Sequence, residues 1–268
     1  MIWRVLTAEI ADAPRNMAID EFMLSWAQNN GLPIARFYQW QPAALSIGYF
    51  QRYQKEVDED ACLRRGVDWI RRPTGGRAVL HQHEITYAVA LPAGLPGVPQ
   101  GILPSYRWLS QGLIRGLNAL GVPAQIAPGQ RLDGPASAAC FDSPSRYELT
   151  ASGRKIVGSA QVRRSGTLLQ HGSILLDFDV DLLLDVIGAA SNPNAGSLRS
   201  LLKNKVGWLS QWMNPLPSTD QLIADLEQEF LQALAPRWEI LPLTVGEEKV
   251  IGQLVRNIYG NSLWNQKR

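Results

Sequence analysis

The sequence contains a thiol and an ammonium group fifteen positions apart, at Cys140 and Lys155. Between them, the turn Ala151-Ser152-Gly153-Arg154 joins two short strand-like runs, 147–150 and 155–162. A thiolate is a nucleophile, and a neighbouring cation lowers the pKa of a thiol from about 8.5 towards neutrality. The pair therefore points to covalent catalysis at a sulfur.

Residue types alone leave a second interpretation open. Free cysteines are commonly buried and inert, so Cys140 would be an ordinary half-buried cysteine and Lys155 a solvated turn residue. Strand alternation predicts two rows after the turn. The row facing a site would hold Lys155, Val157, Ser159 and Gln161, and the row facing the core would hold Ile156, Gly158, Ala160 and Val162.

A second stretch with chemical potential is the loop Pro73-Thr74-Gly75-Gly76, which lies between two predicted strands. Adjacent glycines let the backbone approach a ligand closely, although hairpin turns also use them. Three arginines flank the loop, Arg71, Arg72 and Arg77. His81 and His83 follow on one strand face, but the chain has three histidines and no nearby acidic or thiol set completes a metal site. We expect no bound metal.

Size and composition indicate a folded protein with one large domain. The chain has 268 residues, 46% of them hydrophobic, and a net charge of +2, which is too small to suggest a nucleic-acid partner. We expect a catalytic domain over 1–218 and a C-terminal helical extension packed on it over 219–268. Two distant cysteines, no signal-like start and no apolar run of about 18 residues predict a cytoplasmic protein without a membrane partner.

Periodicity predicts interleaved helices and hairpin-like strands, hence an α+β fold with a mixed or antiparallel sheet and flanking helices. Predicted strands are 3–7, 34–40, 44–48, 68–71, 124–126 and 238–241. Three helices are predicted over 57–65, 180–187 and 247–259. Three more are predicted from their caps or starts: one capped by Asn16 that runs to Gln28, one that follows Ser105 and runs to Leu120, and one capped by Thr219 that runs to Leu234. We expect a loop over 92–104, irregular structure over 189–218, and a packing role for Cys62.

Four motifs resemble the LipM-type octanoyltransferases of the lipoate–biotin protein ligase superfamily. They are the run from Cys140 through Ser159 to the segment 170–176, the segment 16–21, the strands at 36–40 and 45–49, and the Arg-Arg-x-x-Gly-Gly loop at 71–76. The resemblance implies a class II synthetase-like fold, as in biotin and lipoate ligases. It is faint at the C-terminus, where Ile258 stands in place of a lysine that the family often carries before Tyr259.

By this resemblance, Cys140 matches the acyl-thioester nucleophile and Lys155 the lysine that lowers its pKa. The substrate-binding assignments that follow from it are Arg72, Gly75, Gly76, His81, Gly158 and Ser159. Gln170 and His171 support the sheet or the acyl pocket, and His171 is not assigned a catalytic role.

The implied reaction moves an octanoyl group from octanoyl-acyl carrier protein, through a thioester on Cys140, to a lysine of H protein or a lipoyl domain. It requires no cofactor beyond the acyl donor. Three alternatives stay open at this point. They are an amidotransferase between H protein and lipoyl domains, an ATP-dependent lipoate or biotin ligase, which needs no cysteine, and a non-catalytic protein that binds acyl carriers.

Overall fold

The computed structural model describes residues 1–127 and 148–267, and within these ranges the chain forms a mixed α+β fold. The strands are β1 Trp3–Leu6, β2 Glu9–Ala11, β3 Ile34–Trp40, β4 Ala44–Ile47, β5 Asp68–Arg71, β6 Val79–His81, β7 Glu84–Pro92, β8 Ala124–Ile126, β9 Leu149–Ala151, β10 Arg154–Arg164, β11 Thr167–Leu175 and β12 Trp238–Leu241. The helices are α1 Ala13–Asn30, α2 Tyr53–Glu56, α3 Glu59–Arg65, α4 Ile102–Ala119, α5 Val180–Val186, α6 Ala195–Lys205, α7 Thr219–Leu234, α8 Val245–Leu254 and α9 Ser262–Asn265.

The strands form two sheets. The main sheet has the order β12-β1-β3-β7-β11-β10-β9-β8, with β2 also pairing with β3. The small sheet has the order β5-β4-β6. Parallel and antiparallel pairs both occur, since β1 runs parallel to β3 and β12 whereas β7, β10 and β11 are antiparallel neighbours. The predicted α+β class with a mixed sheet is confirmed.

The main sheet is covered on both faces by apolar clusters. Helices α4 and α7 cover one face, with Leu113 and Phe230 buried against Tyr87 of β7. Helix α1 covers the other face, with Met17 and Met23 buried beside Ala88. Because both faces are covered, the central strand β11 is buried along its whole length.

The C-terminal residues contribute to the same layers. Strand β12 pairs with β1 at one edge of the main sheet. Leu226 and Phe230 of α7 lie in the cluster that also contains Leu109 and Leu113 of α4. The division of the chain at residue 218 stays a prediction.

Four predictions about the helices are wrong. The N-cap of α1 is Asp12, whose carboxylate accepts a hydrogen bond from the Arg15 backbone, while Asn16 is buried and donates to the carbonyls of Ala11 and Gln39. Pro14 fits the first turn because that turn needs no donor. Helix α4 likewise starts earlier than predicted, at Ile102, with Pro104 in its first turn.

The region 189–218 contains helix α6, where irregular structure was predicted. Only two apolar residues at helical spacing, Leu198 and Leu202, pack against the cluster that includes Leu183 of α5. A stripe of two residues is too short to distinguish a helix from a loop in the sequence. The cap of the next helix, α7, is Ser218 rather than Thr219.

In the described part of the chain, no helix combines the length and the apolar character needed to cross a membrane.

Candidate active site

A cavity of about 420 Å³, counting its open mouth, lies between the two sheets. The main sheet contributes Tyr38 and Trp40 from β3, Thr86 from β7, residues 158–160 from β10 and residues 171–173 from β11. The small sheet and its loop contribute Ser46, Arg72, Gly76, Val79 and His81. Met17 of α1 completes the lining. Mostly apolar clefts with a few convergent polar groups commonly bind small molecules.

The cavity brings together most of the residues that the sequence assigned to substrate binding. Arg72, Gly76, His81, Gly158 and Ser159 all line it. Gly75 lies beside it, because its carbonyl accepts a hydrogen bond of 2.8 Å from Nη2 of Arg72. The Gly-Gly loop and strand β10, which are about 80 residues apart in the sequence, thus meet at one site.

The Gly-Gly loop is held close to its neighbours. A Cβ on Gly76, whose φ is +94°, would lie 2.9 Å from Nη2 of Arg72. A Cβ on Gly48 would lie 2.0 Å from the carbonyl oxygen of Gly76. Glycine is therefore required at position 48 by the close approach of the backbone, and at position 76 by the positive φ.

The predicted alternation along β10 is wrong. Lys155 pairs with Thr150 and Val157 pairs with Leu149, so the strand has a bulge at Ile156 that reverses the alternation. Beyond the bulge, Gly158 and Ala160 share the face of the cavity. Ser159 also lines the cavity, but its hydroxyl lies on the opposite face, where it accepts a hydrogen bond of 2.9 Å from the Tyr87 hydroxyl. Gln161 also lies on that opposite face, where it donates to Gln170 and to Ser105 of α4.

Lys155 is buried, and its Nζ lies 2.8 Å from Oε1 of Glu148. The backbone of Lys155 is fixed as well, because its carbonyl accepts a hydrogen bond from the amide of Gly207. Glu148 follows directly after the segment 128–147, which contains Cys140 and lies outside the described residues. The buried ammonium of Lys155 thus lies beside a carboxylate.

A chain of buried polar groups that the sequence did not reveal runs behind the cavity. Arg36 donates to Oδ1 of Asp20 at 2.7 Å, and Nδ1 of His171 lies 2.6 Å from Oδ2 of the same carboxylate. Burial alone would raise the pKa of Asp20, but the Arg36 charge and the His171 hydrogen bond outweigh it and hold the pKa below its ordinary value. Asp20 is therefore ionised at neutral pH.

The same chain continues into the Gly-Gly loop. Nε2 of His171 lies 2.6 Å from the hydroxyl of Thr74, and that hydroxyl accepts a hydrogen bond from Nε of Arg72. His171, which the sequence associated with the sheet or the pocket, thus links the sheet to the loop.

A second polar chain approaches Arg72 from the other side. Ser46 accepts a hydrogen bond from Nη1 of Arg72 and lies 2.8 Å from Nε2 of His81. Nδ1 of His81 lies 3.4 Å from Glu84, and its ring stacks on Trp40 with the ring centres 4.0 Å apart. Burial lowers the pKa of His81 although the Glu84 contact opposes this, which favours the neutral imidazole.

Asp20, to which the sequence analysis assigned no role in the site, also has a signal in the sequence. It follows Met17 by three positions and precedes Met23 and Leu24, so it is an acidic residue within the apolar stripe of a helix. A carboxylate in such a stripe needs a buried partner.

Comparison with known proteins identifies relatives along the whole chain. Residues 12–231 match the lipoyl protein ligase A/B catalytic domain. Octanoyltransferase LipM of Kyrpidia tusciae is 42% identical over 272 residues, which cover 99% of both chains. Octanoyltransferase LipM of Bacillus subtilis is 37% identical over 273 residues, covering 99% of this chain and 98% of the relative. A crystal structure of lipoate-protein ligase A bound with ATP has a TM-score of 0.80 at 26% identity and covers 99% of both chains. The predicted lipoate-ligase-like fold is confirmed.

Proposed function

Because this chain belongs to the lipoyl protein ligase A/B catalytic-domain family and is similar throughout to LipM octanoyltransferases, we propose that it is an octanoyltransferase of lipoate biosynthesis. The Cys140 thiolate attacks the thioester carbonyl of octanoyl-acyl carrier protein and releases the carrier thiolate. The amine of a lysine on H protein or a lipoyl domain then attacks the acyl-enzyme. An amide forms, the Cys140 thiolate is released, and the amine loses a proton.

The observation that carries this proposal is the chemistry of the cavity between the sheets. Several of its polar liners direct their hydrogen-bonding atoms at other protein groups: Arg72 at Ser46, Tyr38 at Asp20, and Trp40 at Thr86. The surface left towards the cavity is mostly apolar. Such a lining suits an aliphatic chain, because most of its polar side chains already have hydrogen-bond partners, although the buried Ser173 hydroxyl has none among the described residues.

Lys155 supplies the charge that a thioester mechanism needs. Its ammonium is buried beside Glu148. Lys155 precedes Gly158 of the cavity wall by three positions. In a low-dielectric site, a fixed cation stabilises a thiolate and a developing oxyanion more strongly than it would in water. We assign this role to Lys155 and the role of nucleophile to Cys140. Lys155→Met should slow acylation about 100-fold or more.

The test is an intact-mass measurement after the protein is mixed with octanoyl-acyl carrier protein. A single thioester on the wild-type chain adds about 126 Da, the mass of an octanoyl group minus the displaced proton. Cys140→Ala should form no adduct and transfer no octanoate to H protein. Normal transfer by Cys140→Ala would overturn the mechanism.

The second cysteine provides the matched control. Cys62 is 2% exposed, and burial raises the pKa of its thiol to about 11. Its thiolate fraction at pH 7.5 is therefore below about one part in a thousand, so alkylation of the folded protein should occur at Cys140. Cys62→Ala should retain both the adduct and its sensitivity to alkylation.

A second function is favoured by one observation, the similarity to the lipoate-protein ligase A bound with ATP. A ligase would release pyrophosphate from ATP in the presence of free octanoate or lipoate, and Cys140→Ala would not affect that release. Donor choice separates the remaining candidate, since an amidotransferase would accept octanoyl-H protein in preference to octanoyl-acyl carrier protein.

A further inference from the structure

Two carboxylate–histidine–hydroxyl chains converge on Arg72. One runs from Asp20 through His171 to Thr74, and the other from Glu84 through His81 to Ser46. Thr74 meets Nε of Arg72, and Ser46 meets Nη1, each at 3.2 Å. The guanidinium thus receives a hydroxyl from each chain.

The remaining donors of Arg72 hold the backbone around it. Nη1 also donates to the Ser46 carbonyl at 2.9 Å. Nη2 donates to the carbonyls of Gly75 and Arg77, at 2.8 and 2.7 Å. These contacts together use all five hydrogens of the guanidinium, so its orientation is fixed within its plane.

One tautomer of each histidine fits the groups around it. In the Nδ1–H tautomer of His171, the carboxylate of Asp20 accepts from Nδ1 and Nε2 accepts from the Thr74 hydroxyl. The lone pairs of that hydroxyl are then available to Arg72. The same assignment at neutral His81 lets Ser46 donate to Nε2 and accept from Arg72. Each of these hydrogen bonds then has one donor and one acceptor.

The two chains span the gap between the sheets. Asp20 and His171 belong to α1 and the main sheet, whereas Thr74 lies in the loop of the small sheet. Glu84 belongs to the main sheet, and His81 and Ser46 to the small sheet. Both chains therefore set the separation of the cavity walls, and Arg72 passes this constraint to Gly76 on the wall.

We propose that Thr74 and Ser46 are positioning residues for the acyl pocket, which they shape by fixing Arg72 and, through it, the Gly75–Arg77 backbone. This inference rests on the proposed octanoyltransferase function. The pocket wall keeps one position only while both hydroxyls hold the guanidinium. Loss of either hydroxyl lets the loop shift and weakens discrimination between acyl chain lengths.

The experiment compares two substitutions at Thr74 that differ in the hydroxyl. Thr74→Val keeps the shape and removes the hydroxyl, while Thr74→Ser keeps the hydroxyl and removes a methyl group. The readout is the rate of thioester formation with hexanoyl-, octanoyl- and decanoyl-acyl carrier protein. Thr74→Val should lower kcat/KM for the octanoyl donor by about 10- to 100-fold, the usual effect of losing a hydrogen bond to a charged group. Its ratio of octanoyl to decanoyl rates should fall towards one.

Thr74→Ser should stay within about threefold of wild type and keep the chain-length ratio. Thr167→Val is the matched control, because Thr167 is a buried residue of β11 whose hydroxyl makes no hydrogen bond among the described residues. It should react like wild type with all three donors. Equal rates and ratios for Thr74→Val and Thr74→Ser would overturn the proposal.

Ser46→Ala repeats the test on the second chain if Thr74→Val does not fold, with Ser46→Thr as the conservative partner. If both Thr74→Val and Ser46→Ala fail to fold, the proposal is wrong and the hydroxyls have a purely structural role. A wild-type chain that forms no adduct with any donor would contradict the proposed function itself, which is a different outcome from equal behaviour of the variants.

Discussion

The two faces of the main sheet are built from the same strands but are stabilised by different interactions. On the face towards α1, the neighbouring positions Arg36, Ala88, His171 and Ala160 carry or adjoin a buried ionic chain. On the face towards α4 and α7, the next row is Phe37, Tyr87, Gly172 and Ser159. Phe37 and Tyr87 pack there against Phe230 at ring separations of 5.8 and 6.1 Å.

The polar contacts around Tyr87 on the second face join neutral groups. The Tyr87 hydroxyl donates to Ser159 and accepts from Gln170, and burial raises the pKa of Tyr87 far above its ordinary value. The first face holds ionised groups whose geometry is directional. The comparison indicates that the face towards α4 and α7 supplies most of the apolar packing. The face towards α1 positions the pocket and buries charged groups to do so.

The largest expected effect is on the ionic face. Asp20→Asn leaves the buried Arg36 without its anion, so the free energy of unfolding should fall by about 3–5 kcal/mol. Urea denaturation at pH 7 measures this. Asp181→Asn is the matched control, because Asp181 pairs with Arg199 on the surface and its side chain is 56% exposed. That variant should lose less than about 1 kcal/mol.

Equal stability of Asp20→Asn and Asp181→Asn would contradict the conclusion that the face towards α1 depends on buried charge. The comparison would be sharpened by Arg36→Met in the Asp20→Asn background. Replacing both members of a buried ion pair by neutral groups costs less than removing one, so the double variant should recover part of the loss.

The next largest effect is on the apolar face. A Cβ on Gly112 of α4 would lie 2.6 Å from Cδ2 of Phe230 and 2.8 Å from Cδ1 of Leu234. Gly112→Ala should therefore lower the free energy of unfolding by about 1–2 kcal/mol, since overpacking exceeds the gain in helix propensity. Thermal denaturation measures this, and the chain-length preference of the folded enzyme should not change.

Gly196→Ala in α6 is the control for Gly112→Ala, because nothing lies within 4 Å of the added Cβ. It should cost no stability. A change in chain-length preference caused by Gly112→Ala would contradict the separation of packing and positioning between the two faces.

The smallest effect is expected at an ion pair near the edge of the sheet. The two terminal nitrogens of the Arg4 guanidinium, in β1, donate to the carboxylate of Glu247 in α8, at 2.6 and 2.8 Å. This contact lowers the pKa of Glu247 to about 2. Glu247→Gln should cost about 1 kcal/mol at pH 7. A carboxyl with a depressed pKa stabilises the fold above its unfolded pKa, near 4.5, and this contribution is lost as the pH falls towards 2.

Denaturation series of wild type and Glu247→Gln should therefore differ at pH 7 and converge near pH 2. A difference that stays constant over this range would show that the pair acts through packing rather than charge. Because its side chain is 17% exposed, Glu247 also calibrates how much more the fully buried Asp20 contributes.

Local sequence features predicted much of the framework. Strands β3, β5, β8 and β12 have the predicted bounds, because each is a short β-rich run ended by turn residues. The pocket assignments also came from the sequence, through the resemblance of the Gly-Gly loop and β10 to a known family. The predictions that were wrong concern residues whose structure depends on contacts distant in the sequence. Asn16 is buried and donates a hydrogen bond to the carbonyl of Gln39, and α6 is stabilised by its contact with α5 rather than by its own apolar pattern.

The sequence by itself determined the α+β class and the two segments that form the pocket, and it supplied the candidate groups for the proposed thioester chemistry. Residue type, turn signals and periodicity are local properties, because each depends only on residues that are close together in the sequence. Only the tertiary structure decided which face of β10 meets the pocket, because one bulge at Ile156 reverses the alternation. It also decided that Asp20 and His171, 151 residues apart, join to hold Arg72, since burial removes the water that would otherwise satisfy these groups.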